Sequence, residues 1–321
     1  MSSGTENNVN KTGKEFKTSI GGQALIEGIM MRGPTKEAVV VRTADGLVTK
    51  VNEIKFLKSK YPIVGLPFIR GVVNFGNSMR VGVTALMFSA DQMPEEDQEE
   101  PTRFEAWIER KFGNEKAEKA LITFAVVLGI AFSIGLFILL PTLLAGLLAN
   151  VIDYGILRNL SEGALRIIIF IGYLALTTRL GAIQRVWAYH GAEHKAIACY
   201  EKNLPLTVEN VSKQSKQHPR CGTSFMFIVM IVSILVFSFT SWDNLWIRMG
   251  LRLLLLPVVV SISYEIIKLA GRYDNVLTRI ISAPGKALQR LTTREPDEEM
   301  MEVAIEAMNL VIPENEEDAA W

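Results

Sequence analysis

Cysteine and histidine are both scarce in this sequence, and so is any excess of charge of one sign. Two cysteines, Cys199 and Cys221, are too few for a disulfide framework. The 34 basic and 34 acidic residues balance, so no basic excess exists to neutralise phosphates, and we expect no nucleic-acid partner. The polar N-terminus lacks the apolar core of a signal peptide, so an internal segment is expected to direct membrane insertion.

Long hydrophobic runs, in contrast, are present: 49% of the residues are hydrophobic and the mean hydropathy is +0.23. A membrane span needs about 20 mostly apolar residues. Four runs meet this condition, at about 121–150, 164–184, 224–241 and 250–270. The second is the weakest, because Arg166 and Arg179 bracket its apolar centre. The sequence therefore predicts a mainly α-helical, polytopic membrane protein with four transmembrane helices.

Lysine and arginine are distributed unevenly around these runs. They cluster before the first run, between the second and third, and after the fourth. The two remaining loops are nearly bare, with Arg158 and Arg166 in one and Arg248 and Arg252 in the other. Because basic residues remain on the cytoplasmic side, we expect both termini and the loop between the second and third spans to be cytoplasmic. The two cysteines are then reduced thiols.

The rest of the chain divides by composition into segments of different character. The predicted domains are a disordered N-terminus (1–18), a cytoplasmic hairpin with an interfacial or re-entrant helix (19–90), an acidic linker with a charged helix (91–118), a four-helix transmembrane domain (119–271), and an interfacial helix with an acidic tail (272–321). The transmembrane domain includes a cytoplasmic histidine loop at 185–223. A small cytoplasmic part is therefore expected beside the membrane domain.

Local patterns support these segments. β-Branched runs at 38–43 and 47–54 flank an Asp-Gly pair, which predicts a β-hairpin. The stretch 61–90 is apolar but interrupted by glycine, proline and arginine, which favours an interfacial or re-entrant helix. Residues 272–294 alternate apolar and basic residues at helical spacing, which suits a helix lying on anionic lipid. For both helices, packing on the soluble part is the alternative. The acidic tail is expected to be solvated, with one amphipathic helix around 298–310.

All three histidines and both cysteines lie in the segment 185–223. We predict that its first part is a helix continuing from the second span. His190 and His194 are then one turn apart on one face, the arrangement that two imidazoles need to hold one tetrahedral Zn²⁺. The helical phase places Glu201 on the same stripe and Cys199 roughly opposite.

The same helix contains the pattern H-x-x-E-H, the inverted zinc-protease motif. In that motif the histidines bind Zn²⁺ and the glutamate, here Glu193, is the general base for the attacking water. His218 and Cys221 return to the same membrane face and are the candidate third and fourth ligands. In the alternative, the paired histidines hydrogen-bond to backbone or lipid headgroups, and Glu193 pairs with Lys195 or Arg185. The segment therefore predicts a divalent metal site, with zinc as the favoured metal, and a hydrogen-bond network is the alternative.

Two other regions supply secondary candidates. In the glycine-dense stretch GGQALIEGIMMRGP, Glu27 and Arg32 form either a structural ion pair or a part of the site that folds back under the histidine segment. No strand is predicted before its glycines, so nucleotide binding is disfavoured. Glu265 lies in the fourth span, where a carboxylate is a functional candidate by default. Its alternative is pairing with the basic residues Lys268 and Arg272 that follow.

Three motifs, GGQALIEGIMMRGP, YHGAEHKAIACYE and HPRCGTSF, occur in this order and together resemble the YqhQ-like bacterial membrane proteins, a domain family of unknown function. The resemblance covers about residues 19–295, and the acidic linker and C-terminal tail look peculiar to this chain. It implies a multi-pass protein of the bacterial plasma membrane. The family has carried a label of predicted metal-dependent enzyme, which implies a site. The matching positions are His190, Glu193, His194, His218 and Cys221, with Glu27 and Arg32 from the first motif.

Three functions are compatible with these observations. The first is a metal-dependent membrane enzyme of the hydrolase type, which acts at the cytoplasmic face on a membrane-associated substrate. The second is a non-catalytic membrane scaffold or regulator, whose hairpin and tail bind protein partners. The third, a small-solute transporter, is weakened because Glu265 alone is a well-placed ionisable group in the spans and no clear inverted repeat is present. The lipid bilayer is a partner in all three.

Overall fold

The computed structural model describes residues 16–54, 61–94, 114–148, 155–240, 244–273 and 275–319. The strands are β1 (Gly21–Leu25), β2 (Gly28–Arg32), β3 (Lys36–Thr43) and β4 (Gly46–Glu53). The helices are α1 (Ile69–Asp91), α2 (Asn114–Ile134), α3 (Leu140–Leu148), α4 (Gly155–Thr177), α5 (Gly181–Glu201), α6 (Val208–Ser212), α7 (Gly222–Phe237), α8 (Leu245–Arg272), α9 (Val276–Thr292) and α10 (Glu298–Asn309). The chain divides into two compact units, the first made of 1–92, 177–228 and 264–321 and the second of 93–176 and 229–263.

A four-stranded antiparallel sheet in the order β1-β2-β3-β4 belongs to the first unit. The predicted hairpin is confirmed, since β3 and β4 pair from Lys36 with Glu53 to Thr43 with Gly46. Gly46 has φ 126°, a conformation that glycine adopts without steric cost. The glycine-dense stretch forms a second hairpin, β1 with β2, whose turn holds Glu27 at φ 49°. No strand had been predicted from the sequence of this stretch, because glycine is a weak strand former.

The hydrophobic core of the first unit lies between the sheet, α5 and α10. Asp297 caps α10 by accepting a hydrogen bond from the Met300 amide at 2.8 Å. The amphipathic helix predicted around 298–310 is confirmed, but the expectation of a solvated tail is wrong for it. Its apolar residues at helical spacing pack into the core while its glutamates remain outside. The buried residues are Met300, Met301, Val303, Ala304, Ala307 and Met308.

Three helical segments of the described chain are long and apolar enough to cross a membrane, namely Ala120–Leu147, Leu157–Thr177 and Leu245–Arg272. They correspond to the first, second and fourth predicted spans. The third predicted span lies in α7, whose 16 residues are fewer than the roughly 20 that a span needs. The described chain therefore has three clear candidates rather than four. The second span was also predicted to continue into the histidine helix, but α4 ends at Thr177 and α5 begins at Gly181.

The second unit buries a polar cluster inside two of these candidate spans. Glu162 and Arg166 of α4 and Arg248 and Arg252 of α8 are each at most 4% exposed. Glu162 accepts hydrogen bonds from Arg166, at 3.0 Å, and from Arg252. The sequence had assigned three of these residues to the loops and had left Glu265 as the one well-placed ionisable group of the spans. Both expectations are wrong, because the charged side chains pair with one another inside the helix packing.

The helix α1 covers most of the stretch that was expected to be interfacial or re-entrant, and it is not among the candidate spans of the described chain. Ser89, near its end, donates a hydrogen bond to the Ile26 carbonyl in the turn between β1 and β2, so one face of α1 packs on the β1–β2 hairpin. Another face exposes apolar side chains. These are Ile69, Val72, Phe75, Met79 and Leu86. The helix is therefore compatible with both interpretations, since one face packs on the protein and the other could lie on a membrane.

Two predicted segments lie largely outside the described residues. Of the N-terminus predicted to be disordered, residues 1–15 are not described, whereas residues 16–18 lie along α5. There the Phe16 amide donates to the Glu201 carbonyl at 3.2 Å, and the Thr18 amide donates to the Glu201 carboxylate at 2.8 Å. Of the acidic linker and charged helix, residues 95–113 are not described.

Candidate metal centre

The paired histidines lie on α5, whose residues 188–197 are all buried. A helix enclosed in this way has no solvated face, so its polar side chains must find partners inside the protein. His190 and His194 are one turn apart, as the sequence predicted, and their ring centroids are 4.4 Å apart. Cys221 lies one residue before α7 and is also buried.

Backbone carbonyls hold both imidazole rings. Nδ1 of His190 lies 2.8 Å from the Thr292 carbonyl oxygen, and Nδ1 of His194 lies 2.7 Å from the Lys216 carbonyl oxygen. A carbonyl only accepts, so each Nδ1 carries the proton and each Nε2 keeps its lone pair when the ring is neutral. Metal-binding histidines are oriented in the same way, with the second ring nitrogen donating to a carbonyl or carboxylate.

The two histidines and Cys221 bring their ligand atoms together. One ligand atom from each of His190, His194 and Cys221 lies within 4.8 Å of the others. Nε2 of His190 is 3.1 Å from Sγ of Cys221. Nε2 of His194 is buried and has no hydrogen-bond partner among the described residues. A buried lone pair without a partner is costly, and a bound cation would satisfy it.

These donors fit a borderline-soft divalent cation. Imidazole nitrogen and thiolate sulfur are the ligands that zinc prefers, and three protein ligands leave the fourth tetrahedral position open. Catalytic zinc sites have this composition, whereas structural sites are closed by four protein ligands. The residues present therefore fit a zinc ion with one exchangeable position.

His218 lies beside this group but is engaged elsewhere. Its ring centroid is 5.8 Å from that of His194, and its Nε2 is 3.3 Å from a carboxylate oxygen of Glu201. Burial lowers the pKa of His218. The pKa of Glu201 is lowered although burial opposes this, because His218 and Arg220 stabilise the carboxylate. Three of the four predicted ligands, His190, His194 and Cys221, therefore lie together. The fourth, His218, instead forms a neighbouring ion-pair cluster with Glu201.

Glu193 lies on the sheet side of α5. It is buried and accepts a hydrogen bond from the backbone amide of Gly22 in β1, and burial raises the pKa of its carboxyl. A Cβ at Gly22 would lie 3.1 Å from the Glu193 carboxyl carbon, so only glycine allows this approach. Its alternative partners are excluded as ion pairs, since Lys195 pairs with Glu295 and Arg185 pairs with Glu27.

The secondary candidates form separate pairs. Glu27 is bound by Arg185 through two nitrogens and by the Tyr189 hydroxyl at 3.2 Å, so the predicted pairing with Arg32 is wrong. The first motif does fold back on the histidine helix, where Gly22 contacts Glu193, but Glu27 lies about two turns earlier, at Arg185. Glu265 pairs with Arg70 of α1, with Nε 2.7 Å from Oε1, a partner that the sequence did not indicate. Neither carboxylate reaches the three-ligand group.

The pair of Glu27 with Arg185 yields a pH-dependent prediction. Arg185 lowers the pKa of Glu27, so the carboxylate stabilises the fold above its unfolded pKa of about 4.3, and this contribution is lost as the pH falls through the folded pKa. Because Arg185 is 55% exposed, we expect Glu27→Gln to lower the free energy of unfolding by at most about 1 kcal/mol at pH 7. Denaturant unfolding at pH 7 and pH 3 measures the difference, which should disappear at pH 3.

Tyr189→Phe is the matched control for this prediction. It removes the hydroxyl hydrogen bond to Glu27 but leaves the carboxylate and its arginine in place. The pH dependence should therefore persist in the control. A Glu27→Gln effect of the same size at pH 3 and pH 7 would contradict the assignment to charge.

Sequence reasoning missed the groups that position the site. The carbonyls of Thr292 and Lys216 orient the two imidazoles, and every residue has a carbonyl, so no residue type marks them. Gln289 of α9 is fully buried, accepts from the His218 amide at 2.8 Å and donates to the His218 carbonyl at 2.7 Å. A glutamine in an amphipathic helix gave no sign of this role.

The comparisons agree with the resemblance in the three motifs. The family described as "Protein of unknown function (DUF1385)" matches residues 66–314, so the tail as far as residue 314 belongs to the matched region and is not peculiar to this chain. A relative, "Uncharacterized protein YqhQ" of Bacillus subtilis (strain 168), is 35% identical over 293 residues, which are 90% of this chain and 91% of the relative. No solved structure matches the chain.

Proposed function

The chain belongs to the DUF1385 family, and from that premise we propose that it is an integral membrane protein that binds a divalent metal ion, preferably zinc, through His190, His194 and Cys221. The observation that carries the proposal is the orientation of the two imidazoles. Each donates Nδ1–H to a backbone carbonyl, which leaves both Nε2 atoms as ligands beside a buried thiol. A hydrogen-bond network alone would not explain the buried Nε2 of His194.

The membrane assignment is supported by the three long apolar helices. The basic residues that flank them favour an orientation in which both termini lie on the cytoplasmic side. The segment that begins with α5 and ends before α7 lies on the same side in this orientation. This orientation requires an even number of crossings, so we assign the fourth to α7. Its 16 residues span about 24 Å, which a locally thinned bilayer accommodates.

The chemistry proposed for the site is hydrolysis of a membrane-associated substrate. A zinc ion bound there would lower the pKa of a coordinated water and polarise a carbonyl or phosphoryl oxygen. The chain itself would orient the ligands through the Thr292 and Lys216 carbonyls, and the burial of α5 would limit the access of bulk water. From the order of the H-x-x-E-H motif we assign the general base to Glu193.

Metal analysis of the full chain tests this proposal. Protein expressed in metal-replete medium and purified in detergent should contain about one zinc per chain, as three converging ligands require. His194→Ala and Cys221→Ala should contain clearly less, because two ligands seldom hold a metal through purification. Glu193→Gln should keep its metal, because that carboxyl is not in the ligand group.

The second cysteine supplies the matched control. Sγ of Cys199 is also buried but lies 3.6 Å from the Pro205 carbonyl, away from the histidines. Cys199→Ala should therefore retain the wild-type metal content. Sub-stoichiometric metal in the wild type, or equal loss from both cysteine variants, would overturn the proposed site.

A further inference from the structure

A cavity of ≈ 430 Å³ opens in the first unit next to the cluster of Glu201, His218 and Arg220. Its walls come from the segment before β1, the end of α5, the segment 217–220, the C-terminal turn of α8 and the first turns of α9. The volume lies within the range of pockets that hold small ligands, about 300–1,000 Å³. None of the three proposed metal ligands lines it.

The lining of this cavity is strongly basic, although the whole chain is neutral. Its basic side chains are Lys17, Lys202, Arg220, Arg279 and Lys286. Glu201 is the one carboxylate among the lining residues that the structure describes, and it already accepts hydrogen bonds from Arg220, His218 and the Thr18 amide. This basic lining favours an anion.

The remaining polar groups suit a phosphate. Ser282 contributes a hydroxyl donor beside Arg279 and Lys286, whereas the Thr278 hydroxyl already donates to the Asn275 carbonyl oxygen. They lie in the first turns of α9, where the helix dipole adds positive potential. A phosphate presents several strong acceptor oxygens to lysine, arginine and hydroxyl donors, whereas a carboxylate presents two. A compact phosphate group, with one or two negative charges, is therefore the ligand that this lining matches best.

Apolar surface adjoins the same cavity. Tyr273 and Ala270 from the end of α8, a candidate membrane span, line the cavity. In the first turns of α9, Val276, Leu277 and Ile280 are 74%, 65% and 64% exposed. Such a surface is suited to acyl chains next to a headgroup.

We propose that this cavity binds the phosphate group of an anionic ligand, either a phospholipid headgroup or a soluble phosphate ester. The proposal goes beyond the metal site and does not depend on it. The lipid source alone rests on the proposed membrane insertion. If hydrolysis is the activity, the cavity would hold the charged end of the substrate beside the cluster of Glu201, His218 and Arg220.

Binding of defined phosphates to the full chain in neutral detergent tests the proposal. The probes are inorganic phosphate, glycerol 3-phosphate and dihexanoyl-phosphatidylglycerol, with dihexanoyl-phosphatidylcholine as the chain-matched zwitterionic lipid. A chelator is present throughout, so binding through a metal cannot contribute, and metal content is measured on separate samples. The two measurements are independent, so failure of the metal-binding proposal can be told apart from failure of the phosphate-binding proposal.

We expect saturable binding of a phosphate probe that weakens at least roughly tenfold in Lys17→Gln/Lys286→Gln, since two charge-assisted contacts are removed. Arg290→Gln is the matched control, because Arg290 lies on α9, is exposed and is not among the lining residues. Binding of phosphatidylglycerol alone identifies the lipid source, and equal binding of the soluble esters identifies the soluble one. No binding of any probe, or equal binding by the double variant, overturns the proposal.

A measurement on the wild-type chain covers the case in which the double variant does not fold. Saturating probe should slow amine acetylation of Lys17 and Lys286, read by mass spectrometry. Lys213 lies outside the cavity, has a 63% exposed side chain and should be labelled at an unchanged rate. Equal labelling of all three lysines with and without probe contradicts the assignment.

Discussion

Glu162→Ala should destabilise the second unit by about 3–5 kcal/mol, the usual cost of removing one partner from a buried ion pair. Glu162 is 2% exposed and is bound by Arg166 and Arg252. Without the carboxylate, these guanidinium groups stay buried with only neutral acceptors, and their desolvation is no longer offset. Chemical or thermal unfolding of the detergent-solubilised chain, followed through tryptophan fluorescence, measures the change.

Glu209→Ala provides a control with the same sequence spacing. Glu209 pairs with Lys213 four residues on, as Glu162 pairs with Arg166, but the Glu209 side chain is 79% exposed. Water and salt screen an exposed ion pair of this kind, so the control should change stability little. Effects of equal size in the two variants would show that water reaches Glu162.

Gly191→Ala should destabilise the first unit by at least about 1–3 kcal/mol and reduce its metal content. Gly191 follows His190 on α5, and an added Cβ would overlap the Arg294 carbonyl oxygen. Residues 292–296 are held to α5 by the Arg294 amide, which donates to the Trp187 carbonyl at 2.8 Å. Displacing it also moves the Thr292 carbonyl that orients His190. Unfolding experiments and metal analysis measure the two effects.

Gly181→Ala is the matched control on the same helix. A Cβ at Gly181 meets no atom within 4 Å, and alanine favours a helix over glycine by up to about 1 kcal/mol. The control should therefore be neutral or slightly stabilising and should keep its metal. If Gly191→Ala behaves like Gly181→Ala, the contact between α5 and residues 292–296 is not tight.

Local patterns in the sequence predicted a large part of this fold. The β3–β4 hairpin follows from an Asp-Gly turn between β-branched runs, and α10 follows from apolar residues at helical spacing. Three candidate spans follow from their length and hydropathy. These features depend on the backbone preferences and hydrophobicity of neighbouring residues, so sequence patterns reveal them.

Other features depend on partners far apart in the chain and could not be anticipated. The β1–β2 hairpin packs Gly22 against Glu193 of α5, and α10 fills the core although the tail is acidic. The ion pairs of Glu27 with Arg185 and of Glu265 with Arg70 join residues separated by 158 and 195 positions. Charge and composition identify such residues as candidates, but they do not identify the partner.

By itself the sequence determined the helical class, the candidate spans, the family and the segment that holds the histidines, because each of these is encoded in contiguous residues. Only the tertiary structure decided which residues meet there. It joined Cys221 to His190 and His194, turned His218 toward Glu201 and placed Glu193 against Gly22. The physical reason is that backbone carbonyls and buried ion pairs orient these side chains, and both arise when distant segments pack together.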